Sequence, residues 1–306
     1  MINCKFLLSV VFLLSLVLPV FSFEPSGGVL MLDGEDDYAI LPLAEHGYIF
    51  PRNTDEFTVE VWFYPKSRPE PIEKNILLSQ QVAIGLKLQG NGQCRATLKK
   101  DQVCAYGSAY LEGVARGVRN LHVVIKEDQW NYLAILFKDS TIYLAYNDQI
   151  VRGQKLDIMN VVAAELRVRE EFKSFFVGGY AEDGLIIKDG QVLARETYFQ
   201  GEIDAIRFSN IARYDLPLDM GISPFEPAHR FSSDAHTLAL WDFNDKEGAD
   251  RFEDTSGNGK TLIGMNGAIT LGGTGVNLGG APEDGLEIRP NTSLATTWGQ
   301  VKSESF

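Results

Sequence analysis

The stretch FTVEVWFYP, Phe57–Pro65, alternates along its whole length. Phe57, Val59, Val61 and Phe63 share one side, and Thr58, Glu60, Trp62 and Tyr64 share the other. A period of two is that of a β-strand with one face in a core. The same period extends outward in both directions. VAIGLKLQGNGQCRATLKKDQVCAY (residues 82–106) alternates on both sides of Gly90-Asn91-Gly92 and predicts a hairpin about that turn. WNYLAILFKDSTIYLAYNDQIV (130–151) predicts two strands around Lys138-Asp139-Ser140 and a second turn at Asn147-Asp148-Gln149. SFFVGGY (174–180) and YFQGEIDAIRFSNIARYD (198–215) continue the pattern. NVVAAELRVRE (160–170) has the composition of a helix but alternates enough for a strand. Many short strands at close spacing predict an all-β sandwich or barrel.

The N-terminus reads differently. Lys5 is followed by an apolar run over residues 6–20 and then by Phe21-Ser22. That run is shorter than the roughly 20 residues of a spanning helix, so the expectation is a signal peptide over residues 1–22 that is removed on export. The 306-residue chain carries a net charge of −13, which argues against nucleic acid and anionic membranes as partners. With Cys4 in the leader, Cys94 and Cys104 remain, and an even pair in an exported chain reads as a disulfide. Two free thiols are the alternative. The last quarter opens with a polar connector, PFEPAHRFSSDAH (224–236), followed by the strand-like TLALWDFND. Residues 273–306 have few core-forming side chains and read as a loose tail.

Four stretches in order resemble the LamG-like jelly-roll domains of the concanavalin A-like lectin/glucanase group. LDGEDDYAILP (32–42) is similar to the family's first signature and FTVEVWFYP to its next strand. Residues 130–151 resemble the long central hairpin, and residues 175–215 the closing strand. The resemblance implies two antiparallel sheets packed face to face. One segment is out of place. LALWDFND…FEDTSGNGKTLIGMNG resembles the part that usually comes first in such domains, and here it comes last. Too few residues follow it for a second core. The expectation is one sandwich over residues 23–272, completed by residues 236–272 docking back into it.

The resemblance also bears on chemistry. Glucanases of this group carry Glu-x-Asp-x-x-Glu on one strand, whereas this chain has Glu202-Ile203-Asp204-Ala205-Ile206-Arg207. Retaining hydrolysis uses two carboxyl groups about 5 Å apart. Arg207 can neither give nor take a proton near neutral pH, so the acid/base is missing and the domain is expected to be non-catalytic. An enzyme would need another carboxylate pair, Glu60 or Glu202 with Asp204. Members of the group hold a structural calcium between the first signature loop and the closing strand. By resemblance Asp33, Asp37 and Asp204 would be its ligands, with backbone carbonyls near Gly34. DFNDKEGADRFE (242–253) imitates a calcium loop, but Lys246 and Glu247 stand where a ligand and a glycine belong. His46, His122, His229 and His236 are scattered without ligand spacing. NTS at Asn291 fits a glycan acceptor site. Trp62, Tyr64, Tyr106, Tyr110 and Tyr180 are candidates for stacking on sugar rings, set against ordinary packing roles. The expected function is an exported, non-catalytic recognition or adhesion domain for glycans or for cell-surface and extracellular proteins. The alternatives are a glucanase-type glycoside hydrolase and a purely structural cell-surface module.

Overall fold

The computed structural model describes residues 23, 25, 27–51, 54–80, 83–93, 103–111, 114–120, 125–155, 173–180, 184–188 and 191–273. Residues 1–22, where a signal peptide is expected, residues 160–170, Cys94, Asn291 and the residues beyond 273 lie outside them.

The architecture is all-β. In chain order the strands are β1 (Val29–Asp33), β2 (Tyr38–Leu41), β3 (Phe57–Pro65), β4 (Glu73–Gln80), β5 (Ile84–Gln89), β6 (Cys104–Leu111) and β7 (Val114–Asn120). Next come β8 (Asn131–Lys138), β9 (Thr141–Tyr146), β10 (Gln149–Lys155), β11 (Phe175–Val177), β12 (Gly184–Lys188) and β13 (Gln191–Thr197). The last are β14 (Gln200–Ser209), β15 (Gly221–Pro224), β16 (Thr237–Trp241), β17 (Arg251–Phe252), β18 (Leu262–Met265) and β19 (Ile269–Leu271). A single turn of α-helix, Leu43–His46, follows β2. Among the described residues no helix is long and apolar enough to cross a membrane.

Two sheets form the sandwich. One runs β15-β10-β9-β8-β3-β14-β1-β19, with β16 also on β14. The other runs β17-β18-β2-β11-β4-β5-β6-β7, with the β12–β13 hairpin attached at β4. The described pairings are antiparallel except β13 on β4, which is parallel. The alternation read from the sequence builds the core directly. Phe57, Val59, Val61 and Phe63 are all fully buried between the sheets. Positive φ at Asp139, Ser140 and Asn147 forms the tight turns that bracket β9.

The C-terminal segment enters both sheets. Ile206 of β14 lies opposite Trp241 of β16, Ile263 of β18 opposite Ile40, and Leu271 of β19 opposite Val29. Trp241 is fully buried, stacks on Phe175 at 5.6 Å, and donates its indole N–H to the Lys260 carbonyl at 2.7 Å. A Trp at such a site supplies both a large apolar area and a polar tie.

Two local readings change. The hairpin expected about Gly90-Asn91-Gly92 is wider: β5 ends at Gln89, which lies opposite Cys104 of β6, and residues 91–93 form a 3₁₀ turn. In β14 a register shift between Ile203 and Ala205 makes Asp204 the extra residue of a bulge. Ile203, Ile206 and Phe208 therefore all reach the core, a spacing that strict alternation does not give.

Candidate functional site

The acidic loop after β1 folds around one carboxylate. Asp33 Oδ1 accepts the backbone N–H groups of Glu35, Asp36 and Asp37 at 2.8, 3.3 and 3.4 Å. Asp37 Oδ2 accepts the N–H of Asp33 at 3.1 Å, and Gly34 supplies the positive φ of the turn. Asn266, in the β18–β19 turn, donates to the Asp36 carbonyl at 2.9 Å. Asp33 and Asp37 thus brace a tight turn. The acids also cluster, since ligand atoms of Asp33, Asp36 and Asp37 lie within 4.8 Å of one another. Asp204 is not brought to them. Asp33 lies opposite Gln200, so Asp204 sits four residues further along β14, about 13 Å away at strand rise. The cluster takes Asp36 in its place.

Arg207 and Glu60 form a second constellation on the outer face of the first sheet. They are opposite each other on β14 and β3. Glu60 is fully buried. Its Oε1 accepts Arg207 Nε and Nη2 at 2.7 Å each, and its Oε2 accepts the hydroxyls of Tyr132 at 2.8 Å and Tyr214 at 2.6 Å. Burial, and then the Glu60 charge, raise both tyrosine pKa values above the ordinary range. Both oxygens of Glu60 are engaged and out of reach of a substrate. Glu202 sits near Lys66, with 3.6 Å between charged atoms. The segment 210–236 crosses this face as a strap. It is tied down by Thr58 Oγ1 to the Ile211 carbonyl, Trp62 Nε1 to the Ala228 carbonyl and Arg207 Nη1 to the Ser232 carbonyl.

Beyond the sealed pair the same face opens into a cleft of about 720 Å³. Trp62 and Tyr64 of β3 form its floor and Trp130, entering β8, its wall, with Tyr64 and Trp130 edge-on at 5.4 Å. Asn131 holds this wall in place. It is fully buried, and its Nδ2 donates to the carbonyls of Lys126 and Gln129. The opposite rim is the end of β15, where Phe225 N–H donates to the Asp148 carbonyl at 2.8 Å. Polar groups at the rim are Lys126, Asp128, Gln129, Asp148, Glu226 and His229. Burial, and then the negative charges of Asp128 and Glu202, raise the Tyr64 pKa. Flat apolar rings ringed by hydrogen-bonding groups make a binding surface for a ligand with apolar faces and polar edges.

Sequence reading found Trp62 and Tyr64 but missed Trp130, His229 and Phe23, which also lines the cleft. Trp130 directly precedes the first position of a predicted strand, a signal that was available. Tyr180 is buried instead against Ser79 and Lys87, and Tyr106 is half-buried on β6. The side chain of Tyr110 lies outside the described part.

No protein-family model and no curated protein matches the sequence. Solved structures do. A candidate carbohydrate-binding protein of Bacteroides ovatus superposes with a TM-score of 0.50 at 12% identity, covering 81% of this chain. This chain spans 60% of the length of that protein. Domains LG4-5 of the mouse laminin α1 chain match at 17% identity over 67% of this chain and 47% of theirs, with a TM-score of 0.39. The CBM40 domain of Ruminococcus gnavus IT-sialidase, bound to α2,3-sialyllactose, matches at 11% identity over 63% of this chain and 95% of its own, with a TM-score of 0.42. At such identities the likeness is one of architecture, and the chain has the concanavalin A-like lectin/glucanase jelly-roll fold.

Proposed function

We propose that the protein is an exported, non-catalytic glycan-recognition domain that binds its ligand in the cleft floored by Trp62 and Tyr64. One observation carries this reading. Three aromatic rings converge in a cleft of about 720 Å³ whose rim is polar. Sugar rings present C–H faces to such a floor and hydroxyls to such a rim. The volume lies in the ordinary range for small-ligand sites, about 300–1,000 Å³.

The rim also suggests the kind of glycan. Asp128, Asp148 and Glu226 face one lysine, Lys126, and one histidine, His229, on a chain of net charge −13. A cleft lined mainly by negative charge repels anions. Neutral glycans are therefore the expected ligands, in preference to sialylated or uronate-bearing ones. The occurrence of carbohydrate binders among proteins of this fold is consistent with the reading.

The acidic loop takes a supporting part. Asp33, Asp36 and Asp37 are the residues that would hold a structural calcium, a cation that takes six to eight oxygens. Bound there, it would neutralise three carboxylates and stiffen the turn between β1 and β2.

A glycan array carrying neutral, sialylated and uronate-bearing oligosaccharides tests the function. Binding confined to neutral spots, and lost in Trp130→Ala, is the expected outcome. A preference for acidic glycans, or undiminished binding by the variant, removes the cleft from consideration.

A further inference from the structure

Trp62 is one of two indoles in the cleft, and it is already covered. Phe23 lies on its indole with ring centroids 3.9 Å apart and planes 10° from parallel. The same phenyl ring meets Trp130 edge-on at 5.4 Å. With Phe23 in place only 5% of Trp62 is exposed. A pyranose face in van der Waals contact with that indole would lie at about 3.5–4 Å, where the phenyl ring already lies. The two cannot be present together.

Trp62 is not free to move aside. Its Nε1 is tied to the Ala228 carbonyl at 2.9 Å and its edge is packed against Tyr132 at 5.4 Å. Phe23 is fastened differently. It belongs to the short stretch before Gly28, where the chain is anchored by a 2.8 Å hydrogen bond from the Gly28 N–H to Asn244 Oδ1. Swinging Phe23 out breaks no backbone pairing of the described strands, since β1 begins at Val29.

From this geometry we infer that Phe23 is a built-in competitor for the Trp62 subsite. This rests on the glycan reading above. A ligand reaches the indole only from the state in which Phe23 has left, so the apparent affinity is the intrinsic one scaled by the open fraction. Phe23 stacks on the floor of the cleft in the manner of a sugar ring, and it sets how much binding energy a ligand must supply to open the site.

The test compares the protein with its Phe23→Ala and Trp130→Ala variants, using cellotriose, laminaritriose and maltotriose as probes in isothermal titration. Acrylamide quenching of tryptophan fluorescence is measured beside it, with Phe23→Ala/Trp62→Phe as the control for which indole responds. The expected result is stronger quenching in Phe23→Ala, absent from the double variant, and about tenfold tighter binding of whichever trisaccharide the protein takes. Unchanged quenching overturns the proposal, because something other than Phe23 would then shield Trp62. Unchanged or weaker binding by Phe23→Ala, while Trp130→Ala abolishes it, also overturns the proposal and leaves the glycan site standing, with Phe23 as part of the platform. If none of the forms binds any glycan on the array or any probe, the glycan reading fails and the competitor role with it, whatever the quenching.

Discussion

Glu60 and Trp62 are two residues apart on β3 and face the same way, yet their surroundings are opposite in kind. Glu60 lies under the strap of residues 210–236, with both oxygens bonded to Arg207, Tyr132 and Tyr214. Trp62 and the next outward residue, Tyr64, floor a cleft lined by rings and polar tips. The strand is the same and the sheet is the same. What differs is the cover: the strap alone lies over Glu60, whereas over Trp62 the strap, tied to its indole N–H through the Ala228 carbonyl, is joined by the side chain of Phe23. Where the cover is bonded to a buried carboxylate the face is scaffold. Where one aromatic ring completes the cover, the proposed binding surface begins.

The largest effect should come from breaking the sealed half. Glu60→Ala leaves Arg207 buried without its partner, and loss of one member of a buried pair costs about 3–5 kcal/mol. Urea unfolding should show a lower midpoint with an unchanged slope. Replacing the pair together, Glu60→Leu with Arg207→Met, should recover much of that loss. A loss under about 1 kcal/mol in the single variant would mean the strap is held by something else.

The open half should respond the other way round. Trp130→Ala should weaken binding of a neutral glycan on the order of 30-fold, about 2 kcal/mol, since aromatic anchors dominate small interfaces. Its effect on unfolding should stay within about 1 kcal/mol. A variant that lost stability but kept affinity would reverse the assignment of the two halves.

Two smaller effects sharpen the contrast at its margins. Calcium at Asp33, Asp36 and Asp37 would stabilise the native state by about 1.4 kcal/mol at ten times its Kd, and EDTA should remove that gain. A thermal midpoint indifferent to both would leave the loop as a hydrogen-bonded turn alone. The strap is also buckled by Arg213, which grips both oxygens of Asp234 at 2.9 and 2.7 Å. That hydrogen-bonded grip holds the Asp234 carboxyl far below the usual carboxylate range. A folded-state pKa below the unfolded one gives stability that is complete above about pH 4 and fades as the pH falls further. Asp234 is exposed although Arg213 is mostly buried, and solvent screening of the carboxylate leaves roughly 0.2–1 kcal/mol at stake. Asp234→Asn should flatten the acid limb of the stability profile by that amount.

Much of this was legible in the chain. The alternation of Phe57–Pro65 gave the inward and outward sides of β3 correctly, and residues 130–151 became β8, β9 and the start of β10. Local period is written locally. What it does not record is how far one strand slides past another. The register that sets Asp33 against Gln200 separates it from Asp204, and the bulge at Asp204 interrupts the alternation of its strand. The cleft was hidden for a related reason. Phe23 comes from the stretch before β1, Trp130 from a strand entry and His229 from a polar connector, and only the folded sheet brings them to Trp62.

The divided edge of β14 has a consequence for how the chain is made. One side of β14 is filled by β3; the other is shared, with β1 along its first half and β16 along its second. The outer edge of β1 is closed in turn only by β19, about 240 residues later. At roughly 5–20 residues per second a ribosome needs about 12–50 s to supply that last strand. Throughout that interval the outer edge of β1 carries an unpaired row of backbone donors and acceptors, the kind of edge along which chains aggregate. The sandwich is therefore most exposed to misassembly while it is still being translated, and the closing strands act as its release from that hazard.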